Sequence, residues 1–408
     1  MPADFLKLMS ARFFFNFAVK MLAVVAGWQM YMITRDPLHL GFLGLAEAIP
    51  AIGIALYAGW VVDRSRPLVV YQGVLLGSLV SGLVIWYSQR ESAAIPNDTR
   101  VLALYLASFV GGCARGFSQP SMFAIVPRIV PRGELARASA YTSSAMQLAT
   151  ILGPALGGVF YGWLGVSFPA SFACAMLVVA ILSTLLIRTR VPAPERVGKG
   201  PVAEELLSGL RFVFGHGILL PALTLDMLSV FFGGVTALLP IFAAEVLFTD
   251  SRGLGLLRAA PAIGAGLMSF GLTRLDYRER AGKWLLASVT GFGLCILAFA
   301  LSRNLWLSIG ALALSGAFDS VSMIVRGTAV QFASPDAMRG RISSVNSIFI
   351  GSSNELGEFE SGLAAHLLGT VPAVLFGGFM CLATVAGVAV LAPGLRGLNL
   401  KHLEEQKA

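Results

Sequence analysis

Residues 44–56 read GLAEAIPAIGIAL, and 211 positions later residues 255–267 read GLLRAAPAIGAGL. Eight of the thirteen positions agree, namely Gly, Leu, Ala, Pro, Ala, Ile, Gly and Leu. A second echo runs at an offset of 204, where PRGELARASA (131–140) aligns with PDAMRGRISS (335–344) and keeps the Pro, an Arg and a Ser. Continued without a gap, it places Gly153, Gly158 and Gly165 on Gly357, Gly362 and Gly369. The two halves therefore repeat one another in the same order. If the copies are six crossings apart they share one membrane orientation, which makes this a parallel repeat about an axis along the membrane normal.

Composition says which solvent the repeat folds in. Of 408 residues, 56% are hydrophobic and only 13% are charged, with a mean hydropathy of +0.77. That is too apolar for a soluble domain. About 20 apolar residues cross roughly 30 Å of hydrocarbon as a helix, so the length holds about a dozen crossings and little else. Apolar windows place spans near 8–33, 38–62, 68–88, 101–122, 136–162 and 166–187, then near 218–247, 253–273, 282–302, 304–331, 341–366 and 371–393. The expected fold is all-α, with twelve transmembrane helices in two six-helix bundles. Residues 1–187 form the first bundle, 188–217 a cytoplasmic linker with a short amphipathic helix, 218–393 the second bundle and 394–408 a cytoplasmic tail. The apolar run at the N-terminus is interrupted by Arg12 and Lys20 and lacks a small-residue cleavage site, so it reads as a first span.

A formal net charge of +8 raises the question of nucleic acid, but the distribution of the basic residues is topological. With the N-terminus inside, 20 of the 30 Lys and Arg fall in cytoplasmic segments, five on the opposite side and five within spans. The positive-inside rule then puts both termini in the cytoplasm. No nucleic-acid partner is expected; the partners are the bilayer and a small-molecule substrate, and the chain is expected to act as a monomer. The four cysteines, Cys113, Cys174, Cys295 and Cys381, lie in separate apolar stretches without CxxC or His spacing, so neither a metal site nor a disulfide framework is expected.

Two motifs carry a family resemblance. GWVVDR at 59–64, followed by Ser65 and Arg66, resembles the loop motif G-x-x-x-D-R-x-G-R-[RK] of the major facilitator superfamily. ATILGPALGG at 149–158 resembles the antiporter motif g-x-x-x-G-P-x-x-G-G of its exporters, departing only at Ala149. ARGFSQPSMFAIVPRIVPRGELARASAYTSS and LLPIFAAEVL are similar to the enterobactin-exporter and macrolide-efflux branch. The resemblance implies alternating access, with Gly59, Asp63 and Arg64 in a cytoplasmic latch and Gly153, Pro154, Gly157 and Gly158 in a helix that rocks. Glycines let a neighbouring helix approach, and a proline permits a bend. The tail of the loop motif departs from the pattern, with Arg66 where the second Gly is expected.

Ionisable groups inside spans are candidates for function by default. Arg12, Asn16 and Lys20 recur at i, i+4 and i+8 of the first span, on a face shared with Tyr31. They are expected to line a cavity, although Arg12 has a second reading as a side chain that snorkels to the surface. Glu47 stands where its repeat partner is Arg258, and Arg115 where the offset gives Asp319; these opposite charges are open either to cross-bundle pairing or to static neutralisation. Arg115 shares a face with Gln119, and Asp319 with Arg326. Asp226 has no basic neighbour on its own helix, which leaves a proton carrier, a structural hydrogen bond or a pair with Lys20. The eleventh span, SSNELGEFESG, adds Asn354, Glu355 and Glu358 on one face, read as cation recognition or proton binding.

The proton-coupling candidates are thus Asp226, Glu47, Asp319, Glu355 and Glu358, and the substrate-cavity candidates Asn16, Lys20, Tyr31, Arg115, Gln119, Arg258, Arg326 and Asn354. Phe13, Phe17, Tyr31 and Phe231 have two readings, an apolar wall of the cavity or, more commonly for aromatic stripes, packing or contact with lipid. No cofactor is expected beyond a proton gradient. The function read from all this is export of a siderophore, drug or metabolite by proton-coupled antiport. An importer or lysophospholipid carrier of the same fold is the alternative. An intramembrane enzyme is disfavoured because no HExxH, GxSxG or His cluster appears.

Overall fold

A computed structural model describes residues 2–90, 95–189, 202–272, 276–335 and 338–405. All regular structure among them is helical. Long helices are α1 (Ala3–Thr34), α2 (Pro37–Arg64), α3 (Pro67–Ser88), α4 (Asn97–Ile129), α5 (Leu135–Leu164) and α6 (Ser167–Leu185). The amphipathic α7 (Val202–Gly215) follows, then α8 (Leu219–Gly233) and α9 (Leu239–Ile241), which continues as a π-turn over Phe242–Val246. The chain closes with α10 (Ser251–Leu272), α11 (Ala281–Leu301), α12 (Leu305–Ala333), α13 (Arg339–Leu368), α14 (Thr370–Leu391), α15 (Pro393–Arg396) and α16 (Leu400–Glu405). Local chemistry sets the tight boundaries. Arg35 takes a left-handed conformation and its N–H closes α1 onto the Tyr31 carbonyl at 2.8 Å, while Asp36 caps α2 by accepting from the Leu38 N–H at 2.9 Å, with Pro37 at the first helical position.

Eleven helical segments are long and apolar enough to cross a membrane among the described residues. The twelfth expected span is α13. At 30 residues it is long enough, but Arg339, Arg341, Glu355, Glu358, Glu360 and His366 lower its hydropathy. By contrast α6, α11 and α14 have mean hydropathies of 2.1, 2.1 and 2.3 and leave Leu182, Leu294 and Phe379 exposed, as lipid-facing helices do.

The chain packs as two units, Met1–Val197 with Leu239–Ala259 and Gly198–Leu238 with Ala260–Ala408. In unit 1, α1 packs against α5 and α6, and is buried almost continuously from Val24 to Tyr31. In unit 2, α8 packs between α13 and α14, α11 packs against α12 and α14, and α7 lies on α13. The division departs from a boundary at residue 218, because residues 239–259 pack with the first unit. The seventh span, expected as one helix over 218–247, is broken instead. Gly233 and Gly234 lack side chains to hold a helix, and Pro240 has no N–H for the carbonyl four residues back. The Gly234 carbonyl freed by the break accepts from Ser361 Oγ at 2.7 Å.

The sequence repeat has a packing counterpart in each unit. A Cβ at Gly112 of α4 would collide with the Glu47 carbonyl of α2, and one at Gly316 of α12, 204 positions on, with the Pro261 carbonyl of α10. Likewise Gly82 lies against Cys174 Sγ, and Gly293 against Cys381 Sγ, with Cβ separations of 3.0 and 3.2 Å. Close backbone crossings at small residues hold membrane helices together where no hydrophobic drive separates protein from lipid.

Candidate transport site

In each unit an ion pair joins two of the long helices. In unit 1, α2 presents Glu47 to Arg115 of α4, with Oε1 and Nη1 3.2 Å apart and both side chains about a third exposed. The pair borders a cavity of about 50 Å³ between α1, α2, α3 and α4, whose polar lining includes Ser78, Ser81 and Ser108. In unit 2, Asp226 of α8 is ion-paired with Arg326 of α12; they are 5% and 4% exposed. Asp319 lies two turns before Arg326 on the same helix, within electrostatic reach of both partners.

Glu47 thus pairs with Arg115 inside unit 1 and Asp226 with Arg326 inside unit 2, while Arg258 and Asp319, the repeat counterparts of Glu47 and Arg115, fall in different units. The partner of Asp226 is Arg326 rather than Lys20. The reason is reach: α8 and α12 are neighbours in one unit, and Lys20 is an exposed side chain of α1. Arg258 is partly buried, with its guanidinium 3.1 Å from where a Cβ on Gly27 would stand.

Two members of the first-span stripe are bonded to each other, and one of them to α4. Arg12 donates to Gln119 Oε1 at 3.0 Å, and Asn16 Nδ2 donates to the Arg12 carbonyl at 2.8 Å. Of the aromatic residues, two take the packing reading. Phe17 is buried with an edge-to-face contact to Phe172, and Tyr31 is fully buried. Phe13 stacks on Phe17, and Phe231 meets Phe232 edge to face. Tyr31 donates a hydrogen bond to Glu245 in the π-turn, and the Arg35 guanidinium lies 5.1 Å over its ring. Sequence reasoning missed Glu245, although an ionisable group inside the 218–247 window was the available signal. On α13, Asn354 is exposed and donates to the Ile350 carbonyl at 2.8 Å, and Glu358 is partly buried. The Glu355 side chain lies outside the described residues.

The two motifs occupy opposite kinds of surface. Gly59 and Asp63 line an open groove with Arg128, and the Arg64 guanidinium sits 4.2 Å over the Trp60 ring. The glycines of α5 are enclosed. A Cβ at Gly153 would stand 2.8 Å from the Phe17 carbonyl oxygen of α1, and one at Gly157 3.1 Å from Met21 Cγ. At Gly158 it would collide with the Ser251 carbonyl of α10 and stand 2.8 Å from Gly255 Cα. Ser251 Oγ closes the contact by donating to the Gly158 carbonyl at 3.1 Å.

Eleven apolar helical segments long enough to cross a membrane among the described residues, with ion pairs between helices of each unit, are the features of a multi-pass membrane protein, and the family places it among transporters of the facilitator type. The family model described as transmembrane secretion effector matches residues 3–406. The chain belongs to that family, within the major facilitator superfamily. It is 26% identical to the enterobactin exporter EntS of Citrobacter koseri over 389 residues, covering 94% of this chain and 88% of that one. EntS of Escherichia coli O1:K1 is 26% identical over 82% of this chain and 79% of its own length. Among solved structures, a POT family transporter in complex with a thioalcohol conjugated peptide aligns with a TM-score of 0.78 at 12% identity, over 97% of both chains. The nucleoside transporter NupG aligns at 0.73 and 13%, over 97% of this chain and 99% of that one. At such identities these two show the fold alone.

Proposed function

We propose that the protein exports a small organic molecule of the siderophore or drug type across the inner membrane, by alternating access, in exchange for protons. The observation that carries the reading is the alignment of 94% of the chain with a curated enterobactin exporter. The seam between α5 and residues 251–255 supports it: contacts through glycine and one hydroxyl can part and re-form without stranding a charge. The basic residues, 20 against five, support cytoplasmic termini. In this reading a single chain suffices, substrate enters from the cytoplasmic side, and the ionic pairs of the two units hold their charges neutral while the helices move.

The test is efflux from proteoliposomes across a panel of catecholate siderophores and hydrophobic drugs, with and without a pH gradient. The expected result is gradient-stimulated efflux of at least one compound, reduced at least tenfold in Asp226→Asn. Equal fluxes with protein-free vesicles throughout the panel, or transport of a compound indifferent to the gradient, contradict the proposal.

A further inference from the structure

Unit 1 carries a groove that the transport reading does not use. Val80, Leu83, Val84 and Tyr87 of α3 line one side, and Thr99 and Ala103 of α4 the other, enclosing about 440 Å³. Val80, Leu83 and Tyr87 recur at i, i+3 and i+7 and are 51%, 43% and 58% exposed, so the stripe runs for about 10 Å along α3. An apolar channel on the open face of a span with mean hydropathy 2.0 is shaped for hydrocarbon. Trp86 and Tyr87 mark where that hydrocarbon ends, because such rings settle at the level of the lipid headgroups.

Two arginines stand at that level. Arg100 follows Thr99 in the first turns of α4 and shares a face with Ala107, whose carbonyl accepts from Ser81 Oγ of α3 at 2.7 Å. It is therefore turned to the α3 side of the groove. Its Nε is buried without a hydrogen-bond partner, a costly state unless something outside the chain supplies an acceptor. Arg90 follows the end of α3, with its guanidinium 4.7 Å over the Trp86 ring. Neither arginine forms an ion pair among the described residues. Asp98 is exposed and, two residues from Arg100, faces away from it.

We propose that the groove between α3 and α4 binds one anionic phospholipid, with an acyl chain along residues 80–87 and the phosphate on Arg100 and Arg90. Two unpaired guanidiniums match a phosphodiester that carries no ammonium of its own, whereas a zwitterionic headgroup brings a cation that they repel. In the orientation proposed above this is the outer leaflet, and the site is independent of the molecule carried.

The test is native mass spectrometry of the full-length protein in detergent, counting bound dioleoyl phosphatidylglycerol and dioleoyl phosphatidylcholine at matched concentrations. Wild type is expected to hold one phosphatidylglycerol at least fivefold more tightly than phosphatidylcholine. Arg100→Gln should lose this preference, Arg90→Gln should weaken it and Arg100→Lys should keep part of it. Ala103→Trp, which fills the groove without touching a charge, should weaken the first lipid of either kind. Arg303→Gln should change nothing, since that arginine is engaged by the Ala300 and Ser302 carbonyls. If Arg100→Gln does not accumulate, Ala103→Trp carries the test. Equal affinity for the two lipids in wild type, an unchanged preference in Arg100→Gln or an unweakened first lipid in Ala103→Trp overturns the assignment. So does an equal loss in Arg303→Gln, which would mean diffuse attraction, or a protein dimer that forms at the expense of the lipid, which would give the groove to a second copy.

Discussion

Substituting Gly158 by valine perturbs the seam of α5 and α10 at its tightest point. The added Cβ would overlap the Ser251 carbonyl oxygen and stand 2.8 Å from Gly255 Cα, against about 3.5–4.0 Å for comfortable carbon contacts. Backbone lies on both sides, so relief requires one helix to move by roughly 1 Å, and overpacking of this kind costs about 1–3 kcal/mol. If transport alternates between a closed and an open seam, that cost falls on the closed state only and shifts the equilibrium about 5- to 150-fold towards open. Efflux by Gly158→Val should then fall by about tenfold or more, while Gly158→Ala falls less and Gly133→Ala, with nothing near its Cβ position, is unchanged. Cysteine-labelling kinetics at an introduced Ser251→Cys should rise in parallel with the loss, since Ser251 is 3% exposed with the seam closed. Wild-type flux and unchanged labelling in Gly158→Val would refute the claim that this seam opens and closes.

Arg326→Met leaves Asp226 buried without its guanidinium, and should lower thermal stability by up to about 3–5 kcal/mol. The Asp226→Leu/Arg326→Met double variant should recover most of that loss in a melting assay. Glu47→Gln, in a pair about a third exposed, should cost under about 1 kcal/mol in melting yet reduce efflux several-fold. At the end of the chain, Lys401 donates to Asp276 at 2.9 Å and Glu279 at 2.8 Å, clasping α16 to the loop before α11. Hydrogen bonding to Lys401 holds the Asp276 carboxyl below its ordinary range, so this contribution is lost as pH falls through that lowered value. Hydrogen bonding to Glu279 and Asp276 raises Lys401, so its contribution is lost only in strong alkali. Hydrogen-exchange protection of residues 400–405 should therefore be flat around neutrality, drop in acid and fall with added salt.

Much of the fold was legible because the determinants are local. GLAEAIPAIGIAL and its echo mark equivalent helices, and the structure adds that Gly112 and Gly316 meet them at equivalent crossings. The broken seventh span was harder to read, since Gly233, Gly234 and Pro240 are also tolerated inside continuous membrane helices. What decided it was tertiary, namely packing of 239–259 with the first unit and a Ser361 hydroxyl for the freed carbonyl. Charges were legible as candidates but not as pairs. Asp226 and Arg326 are a hundred positions apart, and no periodicity on α8 points to α12. Tyr31 looked like a cavity residue because its stripe holds Arg12, Asn16 and Lys20. A stripe fixes a helix face without saying whether that face meets water or a π-turn.

The central claim is outward movement of a small molecule. Radiolabelled enterobactin, the compound exported by the EntS relatives, can be offered to energised membrane vesicles of both orientations prepared from cells expressing the protein. Gradient-dependent accumulation is expected in inside-out vesicles, abolished by collapsing the pH gradient and absent from right-side-out vesicles. Accumulation confined to right-side-out vesicles would make the protein an importer and contradict the account.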